Sequence, residues 1–408
     1  MQLKFITIAW RNIWRNKRRA FITSFSIVVS LFFVLFMRQM QLWTYDFNLK
    51  NTVSGYVGYI QITDSTYVDE KILDNTLEES QLPMEIINSV EGISGTYPRM
   101  QSGALVSTGV KSKFAGVMGI QPGIDNTSLK LHKKLKEGKL LESDDNAVMI
   151  TEKMAKYYQV KVGDSLVMIG QGYQGYSAAG IYPIKGIIKF SAGDMANMVF
   201  MTLPESQRFF SAPNRFTHFL INLEDSKKID AVAKELTQKL DNSNLEIRTW
   251  EEVLPGLKQG LELDSNSGLL ICGVLYMIVG FGIFGTIVML YNERIFEFGV
   301  LSAIGMSKKS LLFTTLAEIL LLTIVGVIIG NLVSLPLLYH LNLNPIELTG
   351  ESAKGMIDQG FEPFVGTGIY WDVFVMNSLA ILVISAVTSL YLVAKIVKLN
   401  PLNAMKQH

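Results

Sequence analysis

Four long apolar segments dominate this chain, and each is long enough to cross a lipid bilayer. A transmembrane helix needs about 20 mostly apolar residues to span a hydrocarbon core of about 30 Å. The segments at 20–37, 268–290 and 373–394 carry no charged side chain, and the segment at 311–338 carries only Glu318. The sequence therefore predicts a membrane protein with four transmembrane α-helices and a large α+β periplasmic domain inserted between spans 1 and 2.

The four predicted spans divide the whole chain into regions. We predict a cytoplasmic amphipathic helix at 1–19, transmembrane helices at 20–40, 268–291, 311–338 and 372–395, a large outer domain at 41–267, a cytoplasmic coupling segment at 292–310, a periplasmic loop at 339–371 and a cytoplasmic tail at 396–408. The first span lacks a small-x-small cleavage site after it, so we interpret it as an uncleaved anchor and not as a signal peptide.

The distribution of basic residues predicts the orientation. Lysine and arginine cluster at 4–19, 294–309 and 395–406, whereas the loop at 339–372 carries Lys354 against an excess of carboxylates. Cytoplasmic loops of membrane proteins carry such an excess of basic residues. Both termini are therefore expected in the cytoplasm and the large domain in the periplasm, as in a multi-pass protein of the bacterial inner membrane.

The first residues repeat large apolar side chains at helical spacing, with arginines on the other faces. Leu3, Ile6, Trp10, Ile13 and Trp14 form this apolar series. Such a pattern is typical of a helix that lies in the membrane interface with its tryptophans at headgroup depth.

Composition excludes several classes of function. The net charge of +1 gives no basic field for nucleic acid. The single cysteine, Cys272, rules out an internal disulfide and a CxxC metal site, and the four histidines show no metal-ligand spacing. No nucleophile–base constellation is apparent. We therefore expect a non-catalytic chain that binds neither metal nor cofactor.

The outer domain alternates strand-like and helix-like segments, which predicts an α+β fold. Predicted strands lie at 58–62, 147–150, 182–190, 198–203, 219–223 and 245–249, with a hairpin at 160–169. Predicted helices lie at 152–158 with Thr151 as N-cap, after Pro204, at 226–240 and from Trp250 onward.

Small residues recur at four-residue spacing in the third span, at Gly326, Gly330 and Ser334. Such a stripe allows another helix to approach closely, so we assign these residues to helix packing. Glu318 in the same span is expected to pair with a basic group or to face protein. A proton relay is the alternative role for it.

Six stretches carry a resemblance to a known family. They are AWRNIWRNKRRAFIT (9–23), AVMITEKMAKYYQVKVGDSLV (147–167), IKGIIKFSAGDMANMVFMTLPESQ (184–207), TWEEVLPGL (249–257), NERIFEFGVLSAIGMSKKSL (292–311) and NPLNAMK (400–406). Their order, with one span, an outer domain and then three spans, resembles the permeases of the MacB, FtsX and LolC/LolE superfamily of ABC transporters. The length and order are most similar to the lipoprotein-releasing permeases.

The resemblance implies that the energy comes from another subunit. MacB itself carries an ATPase ahead of its first span, whereas this chain begins almost at that span. It contains no GxxxxGK[ST] phosphate loop, since its one Gly-Lys pair, Gly138-Lys139, continues into Leu-Leu. We therefore expect ATP and Mg²⁺ on a separate dimeric ATPase subunit and a second permease, either another copy or a homologue, beside this chain.

The segment at 292–310 is the expected contact with that ATPase. We expect a short helix with an apolar ridge of Phe298, Leu301 and Ile304, fitted to a groove on the partner. The predicted coupling residues are Glu293, Arg294, Glu297, Phe298, Leu301, Gly305 and Lys308. A solvated loop between two spans is the alternative.

Three functions remain open from the sequence. The first is release of a lipoprotein client from the inner membrane, driven by motion of the outer domain. The second is efflux of a small molecule or peptide with a periplasmic adaptor, and the third is transmembrane signalling to a periplasmic hydrolase or a sensor kinase.

Overall fold

The computed structural model describes residues 11, 17–190, 196–240, 244–358 and 363–400. The chain forms two compact units. We call them the membrane unit (Met1–Thr44, Glu262–Glu347 and Phe364–His408) and the outer unit (Tyr45–Leu261 and Leu348–Pro363). Most of the amphipathic helix expected at 1–19 and most of the motif at 400–406 lie outside the described residues.

The helices are numbered in chain order. They are α1 (Lys17–Asn48), α2 (Ser65–Asp69), α3 (Met84–Asn88), α4 (Pro122–Ser128), α5 (Leu131–Lys134), α6 (Glu152–Tyr158), α7 (Leu203–Phe209), α8 (Ile229–Lys239), α9 (Trp250–Val253), α10 (Pro255–Ala303), α11 (Lys308–Leu343), α12 (Gly350–Asp358) and α13 (Trp371–Val397). A π-helix, Leu49–Val57, directly follows α1.

The strands are likewise numbered in chain order. They are β1 (Ile60–Asp64), β2 (Leu77–Glu78), β3 (Ile93–Ser107), β4 (Ser112–Ile120), β5 (Leu135–Gly138), β6 (Val148–Thr151), β7 (Ser165–Gln171), β8 (Ser177–Ile188), β9 (Met198–Thr202), β10 (Arg215–Phe216), β11 (His218–Leu223), β12 (Leu245–Thr249), β13 (Ile346–Glu347) and β14 (Phe364–Val365).

Four helices in the described part of the chain are long and apolar enough to cross a membrane, and they contain the four predicted spans. The second of them, α10, extends beyond the predicted span at 268–291 in both directions. Pro255 stands at its first position, where the missing N–H breaks no helical hydrogen bond. The four helices and the α+β domain between the first and second of them confirm the predicted fold class.

The core of the membrane unit draws on all four long helices. Ile27 and Leu31 of α1, Ile287 of α10, Ile319 of α11 and Ile381 of α13 belong to one buried apolar cluster. The outward sides of the same helices expose large apolar side chains, such as Phe281 and Leu332. Lipid-facing helices have this composition, since lipid solvates apolar side chains.

The outer unit contains an antiparallel sheet in the order β12-β1-β11-β3. Helix α8 covers it with Ile229, Val232 and Leu236, which lie at helical spacing and are buried. The π-helix contributes Leu49 and Val53 to the same core. Apolar residues on one helical face thus explain why this sheet is covered.

The other part of the outer unit is a closed ring of six strands. The second half of β3 pairs with β4, β4 with β9, β9 with β6, β6 with β8, β8 with β7, and β7 again with β3. Alternate residues point inward, among them Val106, Val117 and Met168, and form a buried core. The 15-residue strand β3 therefore belongs both to this barrel and to the antiparallel sheet.

Most predicted elements of the outer unit have their expected type. Thr151 caps α6 by accepting a hydrogen bond from the Met154 N–H, and Thr202 caps α7 just before Pro204. The predicted hairpin at 160–169 is wrong, because its first arm is a turn. The Val160 N–H donates to the Ala155 carbonyl, and the strand that follows the turn, β7, pairs with β3 and β8.

Candidate functional site

The coupling segment at 292–310 is mostly a continuation of the second membrane helix. Helix α10 runs without a break to Ala303, and α11 begins at Lys308. The separate short helix expected here is therefore a wrong prediction. Gly305 lies in the turn between them with φ of 100°, a conformation that strongly favours glycine. Ser307 then caps α11 by accepting from the Ser310 N–H at 3.2 Å.

One side of the segment is exposed. Phe296, Leu301 and Ile304 have exposed fractions of 40 %, 39 % and 76 %. Glu293 and Glu297 are also exposed. Glu293 lies about one helical turn from Phe296, and Glu297 lies about one turn from Leu301. The result is an apolar stripe with carboxylates beside it, which can fit a groove on another protein.

Phe298 is not part of this stripe. It is buried, as are Ile287, Leu290 and Arg294, which precede it on the same helical face. These positions recur every three or four residues, so they all point into the helical bundle. The expectation that Phe298 faces outward is wrong, because the bundle takes that face of α10.

Arg294 and Glu318 form a buried ion pair between α10 and α11. The Nη1 of Arg294 donates to the Oε2 of Glu318 at 2.7 Å, and the two side chains are 8 % and 0 % exposed. Arg294 Nε also lies 3.9 Å from Oε2 of Glu297, whose side chain is 47 % exposed. Arg294 thus joins a surface carboxylate of the coupling segment to a buried carboxylate of the third membrane helix.

Such a pair matters more for geometry than for net stability. Desolvation of two charges roughly offsets their attraction, whereas removal of one partner leaves a buried charge and costs about 3–5 kcal/mol. The pair therefore holds α10 against α11 at this end of the bundle. Glu318 was expected to pair or to face protein, and it does both here.

The fourth membrane helix is fixed at the same end. Lys308 Nζ donates to the carbonyl of Val397 at 2.8 Å, close to the C-terminal end of α13. A cation at a helix C-terminus is favoured by the helix dipole. The Lys395 ammonium lies 6.0 Å from the ring of Tyr291 on α10. Lys308, predicted as a coupling residue, therefore also connects two helices of the membrane unit.

The glycine stripe of α11 contacts α1. A Cβ at Gly326 would lie 3.0 Å from Ile27, and one at Gly330 would lie 3.0 Å from Leu31. Ser334, the third member, is buried and donates its hydroxyl to the Gly330 carbonyl at 2.7 Å. The two helices thus approach closely at the positions where the side chains of α11 are smallest.

Polar side chains join the membrane helices at several levels, and sequence reasoning missed them. Thr23 contacts Thr286 at 2.7 Å, Thr323 contacts Ser385 at 2.8 Å, and Asn331 donates to Ser378 at 3.0 Å. Interhelical hydrogen bonds of this kind contribute about 0.6 kcal/mol each in membranes. Their signal was the placement of serine, threonine and asparagine within otherwise apolar spans.

The described residues hold no cluster of three or more His, Cys, Asp or Glu side chains arranged for a metal ion. The coupling segment presents exposed apolar and charged side chains, which can bind the surface of another protein. The ion pair of Arg294 with Glu318 lies behind the segment and connects α10 to α11.

Comparisons with known proteins cover most of the chain. Residues 20–239 match the family described as MacB-like periplasmic core domain, and residues 269–401 match FtsX-like permease C-terminal. The chain is 20 % identical over 324 residues to the lipoprotein-releasing system transmembrane protein LolC of Xylella fastidiosa strain 9a5c, which covers 77 % of this chain and 78 % of that protein. LolC of the strain Temecula1 matches with the same identity and coverage.

Two solved structures resemble part of the chain. The periplasmic region of MacB from Actinobacillus actinomycetemcomitans covers 53 % of this chain and 98 % of its own, with 15 % identity and a TM-score of 0.36. The extracellular domain of the transporter YknZ from Gram-positive bacteria covers 47 % of this chain and 99 % of its own, with 12 % identity and a TM-score of 0.35.

Proposed function

This chain belongs to the MacB/FtsX/LolC family of ABC-type permeases, and on that basis we propose that it couples ATP hydrolysis by a separate ATPase subunit to motion of its outer domain. The ATPase carries the ATP and Mg²⁺, and this chain is non-catalytic. In the proposed complex, two permeases contact a dimer of the ATPase. Both termini are cytoplasmic, and the outer unit is periplasmic.

The main support for this proposal is that α10 is continuous. This one helix begins at Pro255, in the residues of the outer unit, and ends at Ala303, in the coupling segment. An unbroken helix resists compression and bending, because each backbone N–H is hydrogen-bonded to the carbonyl four residues earlier and so links successive turns. A push on the exposed stripe would therefore be transmitted along α10.

The ion pair of Arg294 with Glu318 supports the same proposal. It connects the stripe to α11, so that a displacement of the coupling segment involves two membrane helices. Lys308 extends the connection to α13 through the Val397 carbonyl. The moving part is then the end of the bundle and not an isolated loop.

The client proposed for this motion is a lipoprotein that is released from the inner membrane. The likeness to LolC, a protein of a lipoprotein-releasing system, supports this choice. The membrane helices in the described part of the chain contain few charged side chains, so a hydrophilic path through them has little support. A client drawn from the outer leaflet needs no such path.

Binding of the ATPase can be tested with substitutions that change the charge at the exposed stripe. The variants are Ile304→Asp and Glu297→Arg, and the control is Ile72→Asp, at a site in the outer unit with an exposed fraction of 47 %. We expect the two stripe variants to lose an ABC ATPase, identified by its phosphate-loop peptide, on co-purification. The control should retain it. Normal recovery of the ATPase with all three variants would contradict the proposed docking.

The client can be tested with the reconstituted complex. A purified triacylated lipoprotein in the same nanodisc should raise ATP turnover at least several-fold, whereas the same protein without its acyl chains should not. A response to a small amphipathic drug and a periplasmic adaptor instead would favour efflux. A response only to a periplasmic hydrolase would favour signalling.

A further inference from the structure

The two sides of the barrel exterior differ in what covers them. On one side, outward-facing residues of β4, β6, β8 and β9 pack under the chain's own segment between β4 and β6. The buried cluster there includes Met118, Met149, Ile188 and Phe200 together with Leu129, Leu131 and Leu141. The other side, formed by β4, β3, β7 and β8, has no such cover in the described residues.

This second side, which we call the open face, exposes four large apolar side chains. Phe114 on β4 is 66 % exposed, Leu105 on β3 is 45 %, Ile169 on β7 is 51 % and Ile181 on β8 is 68 %. Strand pairing places Phe114 opposite Leu105 and Leu105 opposite Ile169. Ile181 is opposite Val167, one row away. The apolar side chains therefore form one continuous patch across four strands.

In the rows where β4, β3, β7 and β8 pair with one another, the open face carries no charged residue. Its outward positions are Gly103, Leu105, Ser107, Ser112, Phe114, Gly116, Ser165, Val167, Ile169, Gln171, Ser177, Ala179, Ile181 and Pro183. Lys185, two positions beyond Pro183 on β8, forms an ion pair with Asp145. Lys111 and Lys113, at the adjoining turn, direct their ammonium groups to the ring of Tyr157 on α6. In a strand with one solvated face, apolar residues normally point to the core and polar or charged residues point to water. The open face departs from this pattern, as interaction sites do.

The face is also fixed in shape. The ring of Phe114 lies over Gly103, where a Cβ would clash with the ring. Each of the four strands has a neighbour on both sides, so no free edge is offered for strand addition. An occupant must therefore pack onto the side chains, and little conformational entropy is lost when it does.

Size and charge indicate which occupant fits. Four strands about 4.8 Å apart and three rows of side chains give a patch of about 400 Å². A stable complex between free partners buries about 800 Å² on each side. An uncharged face also supplies no electrostatic steering for a diffusing partner. The occupant is therefore one that is already held nearby.

We propose that the open face is the contact between the outer units of two copies of this chain in one complex. An uncharged apolar face can meet its own copy without like-charge repulsion, as an isologous two-fold contact requires. Tethering of both copies to one ATPase dimer raises their effective concentration to about the millimolar range, where a small patch suffices. This inference rests on the proposed function, which supplies the pair of permeases.

Disulfide trapping tests the contact. In the full chain with Cys272→Ser, reconstituted with its ATPase in nanodiscs, Leu105→Cys or Ile169→Cys lies near the centre of the face and should form a crosslinked dimer on oxidation. Ile72→Cys is the matched control, since it is 47 % exposed in the outer unit and lies on none of the four strands of the face, and it should remain monomeric. Addition of Ile169→Glu to Leu105→Cys should lower the crosslinked fraction at least tenfold, and addition of Ile72→Glu should not.

The mass of the complex separates failure of this inference from failure of the proposed function. If the complex holds two permeases and maleimide labels Leu105→Cys and Ile169→Cys but neither crosslinks, the contact is overturned and the proposed function stands. If the complex holds a single permease, the paired arrangement and the contact are both overturned.

Discussion

The Arg294 guanidinium donates to the Glu318 carboxylate at 2.7 Å, in a buried position between the second and third membrane helices. The residues are 24 positions apart in the chain. Arg294 also lies beside the exposed Glu297, so the pair connects the surface stripe of the coupling segment with the bundle. This arrangement gives the stripe a rigid support.

Removal of one member of the pair should destabilise the membrane unit. Glu318→Gln or Arg294→Met leaves the opposite charge buried, which costs about 3–5 kcal/mol. The double variant Arg294→Met/Glu318→Leu removes both charges and should unfold close to the wild-type temperature. Thermal unfolding of the full chain in detergent measures this cycle. Single variants as stable as the wild type would show that the pair is not buried in the folded protein.

The double variant, although stable, should couple the client poorly to ATP turnover. It keeps the exposed side chains Leu301 and Ile304, so the ATPase should still bind. Without the ion pair, displacement of α10 is transmitted less fully to α11. We expect client-stimulated ATP turnover to fall several-fold while basal turnover is retained. Full stimulation in the double variant would assign the pair a purely structural role.

The turn between α10 and α11 should tolerate only glycine at position 305. Gly305 has φ of 100°, and a residue with a Cβ is strained there by about 1–3 kcal/mol. Gly305→Ala should therefore weaken ATPase binding and lower the unfolding temperature. Gly285→Ala is the matched control, because a Cβ at Gly285 meets nothing within 4 Å. Equal behaviour of the two variants would argue against a fixed turn.

The contact between α1 and α11 should reject larger side chains. Gly326→Leu places new atoms against Ile27, where even a Cβ would be at 3.0 Å, so α1 must shift. Overpacking of this kind costs about 1–3 kcal/mol. Fluorescence-detected size exclusion after heating measures the loss, and Gly285→Leu serves as the control. Partial rescue by Ile27→Ala would locate the clash.

The outer unit should lose stability in acid through His218. Burial, followed by the nearby charges of Lys71, Arg248 and Arg99, lowers the pKa of His218 from 6.5 to about 4. The unfolded chain then binds more protons than the folded one between these values, so stability falls as the pH falls from 6.5 towards 4. The loss is on the order of 3 kcal/mol.

Hydrogen exchange of β11 in the full chain measures this effect. Its amides should exchange faster at pH 5 than at pH 7, after correction for the intrinsic rate. His218→Phe keeps an aromatic ring against Tyr67, whose ring is 5.2 Å from that of His218, and should remove most of the pH dependence. An unchanged pH dependence in this variant would exclude His218 as its source.

Local signals in the sequence predicted much of the fold. Thr151 before Glu152 and Thr202 before Pro204 are cap and first-turn signals that depend on a few neighbouring residues. The spans were predicted from length and apolarity alone. The error at Val160 arose because an alternating segment looks like a strand even where its backbone turns.

The tertiary arrangement was not predictable in this way. The barrel requires the parallel pairing of β4 with β9 and of β6 with β8, which joins residues far apart in the chain. Phe298 was misplaced because its direction depends on where the other helices pack. Glu318 was expected to find a partner, but the choice of Arg294 depends on the register of α10 against α11.

Motion of the outer units is measured most directly by the distance between two of them during ATP hydrolysis. Val110, which is 91 % exposed, can carry a spin label as Val110→Cys in the Cys272→Ser background. In the reconstituted complex, the distance distribution between the labels of two copies should shift when ATP is trapped on the ATPase, and Ile304→Asp should abolish the shift. An identical distribution in all nucleotide states, in a complex that turns over ATP, would show that hydrolysis does not move the outer units.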